Sequence, residues 1–209
     1  MDLDSLRQQT LERTWDLHQR LYTIIEDSIE SVRVELASKP YDPWYFSHSV
    51  RFHLCTALDS IPEEARTFDR VRHPLSGVEL NYKEFRVKVW KVSGDEMPLA
   101  GNSPHRNAFL RQPYLPNYIE TLDCGDTIPL NLFIGWDVDH DLHLNKVELV
   151  CPMDFDSPWK PGEDLFSVSI PHPALQIQSP VHFTEAADQD LEIELEKKKT
   201  GSDDADNDD

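Results

Sequence analysis

The sequence predicts an α+β fold: a long N-terminal helix and a second helix packed on a mostly antiparallel sheet, followed by a disordered acidic C-terminal tail. Three observations carry this expectation. Apolar residues recur at spacings of three and four through the N-terminal region, the period changes to two from about Gly77, and residues 185–209 are almost wholly polar or charged. The organisation expected is a helical region at 1–60, a β-rich body at 61–184 forming one domain with those helices, and a tail at 185–209.

The first helix is expected over residues 5–38. Leu11, Trp15, His18, Tyr22, Ile25, Ile29, Val32 and Leu36 form a heptad-like seam, widened by Leu17, Leu21 and Ile24. Glu12, Arg13, Asp16, Gln19, Arg20 and Glu30 mark the opposite face, and Asp4 or Ser5 can serve as N-cap. Pro40 and Pro43 stop the helix. Two readings of the seam stay open. It packs on its own domain, or it meets a second copy or another protein, with Leu11, Trp15, Tyr22, Ile25 and Ile29 as the contact residues.

Tyr41 to Phe46 reads as an aromatic turn, and Ser47 to Leu58 as a second helix burying Val50, Leu54, Ala57 and Leu58. In Tyr82 to Trp90, Phe85, Val87 and Val89 alternate with Glu84, Arg86 and Lys88, as in a half-buried strand. A loop with a short helical turn near His105 to Arg111 follows. Strands are expected at Ile128–Trp136, Lys146–Cys151 and Leu165–Ile170.

Composition bounds the function. Hydrophobic residues make up 39% and aromatic residues 10% of 209 residues, enough for a packed core. The formal net charge is -19, which disfavours direct contact with nucleic acid and favours a basic protein partner. Residues 185–209 contribute eleven acids and three lysines, a net of -8, so -11 belongs to residues 1–184. The N-terminal Met1-Asp2-Leu3-Asp4 lacks the features of a secretory signal, and no apolar run is long enough for a membrane span. Cys55, Cys124 and Cys151 form no Cys-x-x-Cys motif, which fits free thiols in a reducing cytoplasm.

The most specific local pattern is Trp136 to Glu148. Asp137, Asp139, Asp141, Asn145 and Glu148 fall at positions 1, 3, 5, 9 and 12 of a calcium-loop spacing, where oxygens can wrap a hard cation. Leu142 stands where that loop needs glycine, and the flanks are strand-like. The same residues therefore also read as a solvent-facing hairpin loop that holds no cofactor. No H-E-x-x-H, G-x-S-x-G or phosphate-cradling glycine motif occurs, so no catalytic residue is assigned. Residues 66–111 invert the charge, with nine bases against five acids. Arg86, Lys88, Arg106 and Arg111 are the candidate anion-binding residues there, against the reading of a strand face paired with the acidic remainder.

The segments Trp136–Asp139, Leu144–Pro152 and Ile170–Ala174 resemble a group of uncharacterised bacterial proteins. The resemblance implies a bacterial cytosolic setting and carries no activity. The function expected is a non-enzymatic acidic binding protein that neutralises a basic partner, in the manner of antitoxins, immunity proteins or inhibitors. The alternatives are a metal-dependent hydrolase built on Asp137, Asp139 and Asp141, and a transcription-linked accessory protein binding anions through residues 66–111. A homodimer through the N-terminal helix is a further expectation.

Overall fold

In the computed structural model, residues 3–38, 42–72, 77–92, 104–110, 112, 130–152 and 164–175 are described. All belong to one unit, Met1–Gln178; a second unit, Ser179–Asp209, lies outside them, and with it the tail expected at 185–209.

The apolar seam of the N-terminal region forms helix α1, Leu3–Leu36, 34 residues long. At 1.5 Å per residue it spans about 50 Å. It starts at Leu3, so Asp4 and Ser5 lie within its first turn and neither caps it. Three hydroxyl side chains on its packed side satisfy themselves locally. Thr10 Oγ1 donates to the Leu6 carbonyl at 2.8 Å, Thr14 Oγ1 to that of Thr10 at 2.6 Å, and Ser28 Oγ to that of Ile24 at 2.6 Å. Helix α2 runs over Pro43–Asp59 and begins four residues before the expected start at Ser47. The expected aromatic turn is its first turn. Asp42 caps it by accepting from the N–H groups of Trp44 and Tyr45 at 2.7 and 3.1 Å, and Pro43 supplies a preset φ at N1. Phe46, Val50, Leu54 and Leu58 form its buried stripe; Ala57 is half-buried.

Six strands form one sheet in sequence order: β1 Asp69–Val71, β2 Val78–Tyr82, β3 Phe85–Lys91, β4 Asn131–Val138, β5 Leu144–Pro152 and β6 Asp164–Ser169. Every pairing is antiparallel except β3 with β4, which is parallel. The expected single strand Tyr82–Trp90 is instead a hairpin. Tyr82 pairs with Phe85 across a two-residue loop, with Lys83 at φ 51 in the left-handed region. Helices α1 and α2 lie on one face of the sheet, over Leu80, Val87, Leu132, Ile134, Trp136 and Leu149. The parallel junction requires a crossover, and α3, Pro104–Leu110, lies within that connection and covers the other face. There Phe109 and Leu110 pack with Trp90, Val92, Phe133 and Val150 in a second core. Strand β3 is therefore buried on both faces, not on one. Gln112 ties the layer down: its Nε2 donates to the Asn131 carbonyl at 2.6 Å and its Oε1 accepts from the Asn131 N–H at 3.0 Å.

Candidate functional site

Among the described residues, the largest exposed apolar groups lie on the outer side of α2. Asp42 and Pro43 start the helix early enough for Trp44 and Tyr45 to be helical, and the burial of Phe46, Val50, Leu54 and Leu58 fixes its rotation. At 100° per residue, Trp44, His48, Phe52 and Tyr45 then fall within an arc of about 100° on the opposite side. Trp44 is 70% exposed, Phe52 69% and Tyr45 44%. The Trp44 and His48 rings stack in a tilted pair with centroids 4.1 Å apart.

On its sheet-facing flank α2 borders a half-open cleft of about 190 Å³. Ser47, His48 and Arg51 come from the helix, Trp90 and Lys91 from β3, and Trp136 from β4. The cleft forms where β2 stops short. The β2–β3 ladder reaches Val78 opposite Val89, whereas Trp90 and Lys91 continue β3 in register with Gly135 and Trp136 of β4 alone. Partial burial and the neighbouring Arg51 charge hold His48 below its ordinary pKa.

The residues of the expected calcium loop form the β4–β5 hairpin, and they are occupied locally. The Asp139 carboxylate accepts from the N–H groups of Asp141 and His143, both at 2.9 Å, which holds it below the ordinary carboxylate range. Leu142 adopts φ 64, the left-handed conformation that the calcium loop reserves for glycine. Asp137 stands opposite Lys146 on the two strands. Glu148 meets Lys146 Nζ at 2.9 Å and accepts from Ser167 Oγ at 2.6 Å. Asn145 lies on β5. Among the described residues, no group of three or more His, Cys, Asp or Glu side chains is placed to hold a metal ion.

The seam residues offered for a partner are engaged at home. Tyr22, Ile25 and Ile29 are buried in the chain's own core, and Leu11 packs against it; Trp15 is half-buried. Ile25 and Ile29, 0% and 2% exposed, therefore face the chain's own core. The candidate anion residues are engaged as well. Arg86 and Lys88 share Glu79, at 2.6 and 3.4 Å, with Glu79 and Lys88 both buried. Lys88 Nζ sits 4.2 Å above the Phe109 ring. Arg106 falls on α3, its side chain outside the described residues, as is Arg111 altogether. Elsewhere in the basic stretch, Arg70 pairs with Asp59 and donates to the Cys55 carbonyl, and Lys83 donates to the Arg13 carbonyl.

Sequence reasoning did not single out the α2 stripe or the cleft. The signal for the stripe was present in Asp42-Pro43, an N-cap followed by proline at N1, which would have carried the helix back through Trp44. The cleft had none, because it depends on where one strand ends beside another.

The architecture is that of an α+β protein with two helices on one face of a six-stranded mixed sheet. Among the described residues no helix is long and apolar enough to cross a membrane. Comparison with protein-family models, with curated proteins and with solved structures finds no match.

Proposed function

We propose that this chain is a non-enzymatic acidic binding protein that neutralises a basic protein partner, as antitoxins, immunity proteins and inhibitors do, and that it engages this partner through the outer stripe of α2. The single observation behind this reading is the exposure of Trp44, Tyr45 and Phe52 on one arc of one helix. Trp, Tyr and Arg dominate the energetics of protein interfaces, and a contiguous aromatic patch left in water is a site for association. Arg51 sits beside the stripe. The acidic charge selects the partner's sign: with -19 over the chain and -11 within residues 1–184, a cationic protein is drawn in and an acidic one repelled. The setting proposed is a reducing cytoplasm, in which Cys55 and Cys151 stay free thiols.

The reading is tested by recovering the stoichiometric partner from the native cell and measuring its kinetics on the full chain. Raising salt should lower the association rate, and Trp44→Ala or Phe52→Ala should speed dissociation by about tenfold or more. An acidic partner, an affinity unchanged by salt, or full-strength binding by the Trp44→Ala, Phe52→Ala double variant would each refute it.

A further inference from the structure

We propose that the aromatic stripe of α2 is gated by pH: a proton on His48 releases the cationic partner as the medium turns mildly acidic. The inference rests on the reading of the stripe as the partner's seat and adds the regulation of that seat.

Placement is the first argument. His48 lies one turn after Trp44 and one turn before Phe52, between two anchors of the stripe. Its ring stacks on the Trp44 indole with centroids 4.1 Å apart. A charge gained by this imidazole therefore stands on the most exposed ring of the stripe. The surroundings are the second argument. Among the described residues, the charged groups that share a cleft with His48 are Arg51 on the same helix and Lys91 on β3; β2 and β4 present Val78 and Trp136 there. An imidazolium would add a third positive group to that lining. His53, on the same helix, differs: its Nε2 lies 3.8 Å from Glu35 of α1, a counter-charge for its proton.

Protonation then opposes the complex in two ways. A partner seated on the stripe strips water from the imidazolium, and the partner's own Lys and Arg side chains meet a like charge at contact distance. The partner thus selects the neutral form of His48. Affinity is complete above the pKa of His48 and is lost as pH falls through it, approaching tenfold per pH unit for a single proton. Partial burial and the Arg51 charge hold that pKa below its ordinary value. The neutral form therefore prevails at pH 7, and the loss sets in below about pH 6.5. Carboxylates stay ionised down to about pH 5, so the long-range attraction for a basic protein persists across the window. The other histidines of the chain, nine in all with His48, also take up protons there and make the net charge less negative. The gate is the local part of the pH response, which belongs to His48 alone.

The experiment uses the full chain and, as probe, a fluorescent amphipathic helical peptide of leucine and lysine, which has no group of its own titrating in the window. Its affinity is read by anisotropy at about pH 7.5 and about pH 5.0, with circular dichroism showing parent and variants folded at both. The parent should lose about fivefold or more on acidification. His48→Gln should reduce that ratio to about twofold or less, His48→Lys should bind weakly at both pH values, and His140→Gln, on the β4–β5 hairpin, should keep the parent's ratio. By reciprocity, the His48 ring followed by NMR should titrate at lower pH in the complex than in the free chain. A ratio unchanged in His48→Gln, a ratio removed equally by His140→Gln, or a His48 titration unmoved by the peptide would overturn the gate. Where the Trp44→Ala, Phe52→Ala double variant abolishes binding but the ratio survives His48→Gln, the stripe stands as the seat and the gate alone falls. Binding untouched by that double variant, or no binding by the parent, removes the seat and the gate together.

Discussion

His18 lies fully inside the core, 1% exposed, and neither ring nitrogen has a hydrogen-bond partner among the described residues. Burial lowers its pKa from 6.5 to about 4, because an imidazolium there would lose its hydration with nothing in exchange. The consequence for stability has a definite sign. The unfolded chain takes up a proton at this position below about pH 6.5 and the folded chain does not, so stability falls as pH drops from about 6.5 to about 4 and levels off below. The loss is on the order of 3 kcal/mol. Urea unfolding of His18→Leu should show that much less acid destabilisation than the parent, with no loss at pH 7.5, since an apolar group replaces an unsatisfied polar one. An identical pH profile in the variant would refute this. The seam pattern shows that His18 faces inward; its lack of partners depends on residues brought over it by the fold and is not visible in the sequence.

Asp139 gives a second test at this scale. Its depressed pKa means that its contribution is present above the ordinary carboxylate range and is lost as pH falls from that range through its own lower pKa. Asp139→Ala should lower the thermal midpoint by a few degrees at neutral pH, because two backbone N–H groups of the turn lose their acceptor. Millimolar calcium should leave the parent's midpoint unchanged, whereas a ligand at 100 times its dissociation constant would add about 2.7 kcal/mol. A calcium-dependent rise removed by Asp137→Ala would restore the metal loop. The spacing of the acids was readable in the sequence; their engagement by the turn's own backbone was not.

Among the elements, α1 was almost fully legible because a seam sustained over 34 residues leaves little freedom of period. The start of α2 was not, because an aromatic cluster beside two prolines also has the composition of a turn. The β2–β3 hairpin was missed for a chemical reason: Lys83-Glu84 lacks the Asn-Gly or Asp-Gly signature of a tight turn. The alternation within β3 placed Lys88 in solvent, yet it is buried under Phe109, which reaches it from α3, beyond any local pattern in β3. Its partner Glu79 is 1% exposed. Removing one member of a buried pair leaves an uncompensated charge, so Glu79→Gln should cost about 3 kcal/mol in chemical denaturation, with part-exposed Arg86 relieved by solvent. Lys88→Met in the same background should restore part of that loss; a Glu79→Gln variant within about 1 kcal/mol of the parent would show the pair to be dispensable.

At the scale of the molecule, the charge balance was the most legible property and the location of exposed apolar surface the least. The excess of acid is a sum over residues and needs no fold. Which apolar residues are left in water depends on which the core consumes: it takes Tyr22, Ile25 and Ile29 and leaves Trp44 and Phe52 outside. The seam and the stripe are both helical apolar patterns, and only the sheet beneath α1 distinguishes them. Leu80, Val87, Leu132 and Leu149, contributed by four strands, form the floor on which the seam rests. Residues 62–72 show the same dependence. They carry the edge strand β1 and hold the end of α2 through Arg66 and Arg70.

The sheet is two three-stranded meanders joined at one parallel seam, β3 against β4, and among the described residues no other strand pairing crosses it. Each half carries its own local connections, so the chain has a natural line of division. Two separately expressed pieces, 1–112 and 130–209, should reassociate when mixed, since β3 and β4 each offer a complete edge to the other and the apolar layers on both sides close over the join. Alone, either piece would present an open strand edge and should self-associate. Heteronuclear NMR of one labelled piece would read the outcome: a dispersed spectrum on adding its complement signals reconstitution, and an unchanged spectrum would mean that residues 113–129 are needed to bring the halves together. Fragments that reassociate in this way would make a split reporter, silent apart and readable only when they meet.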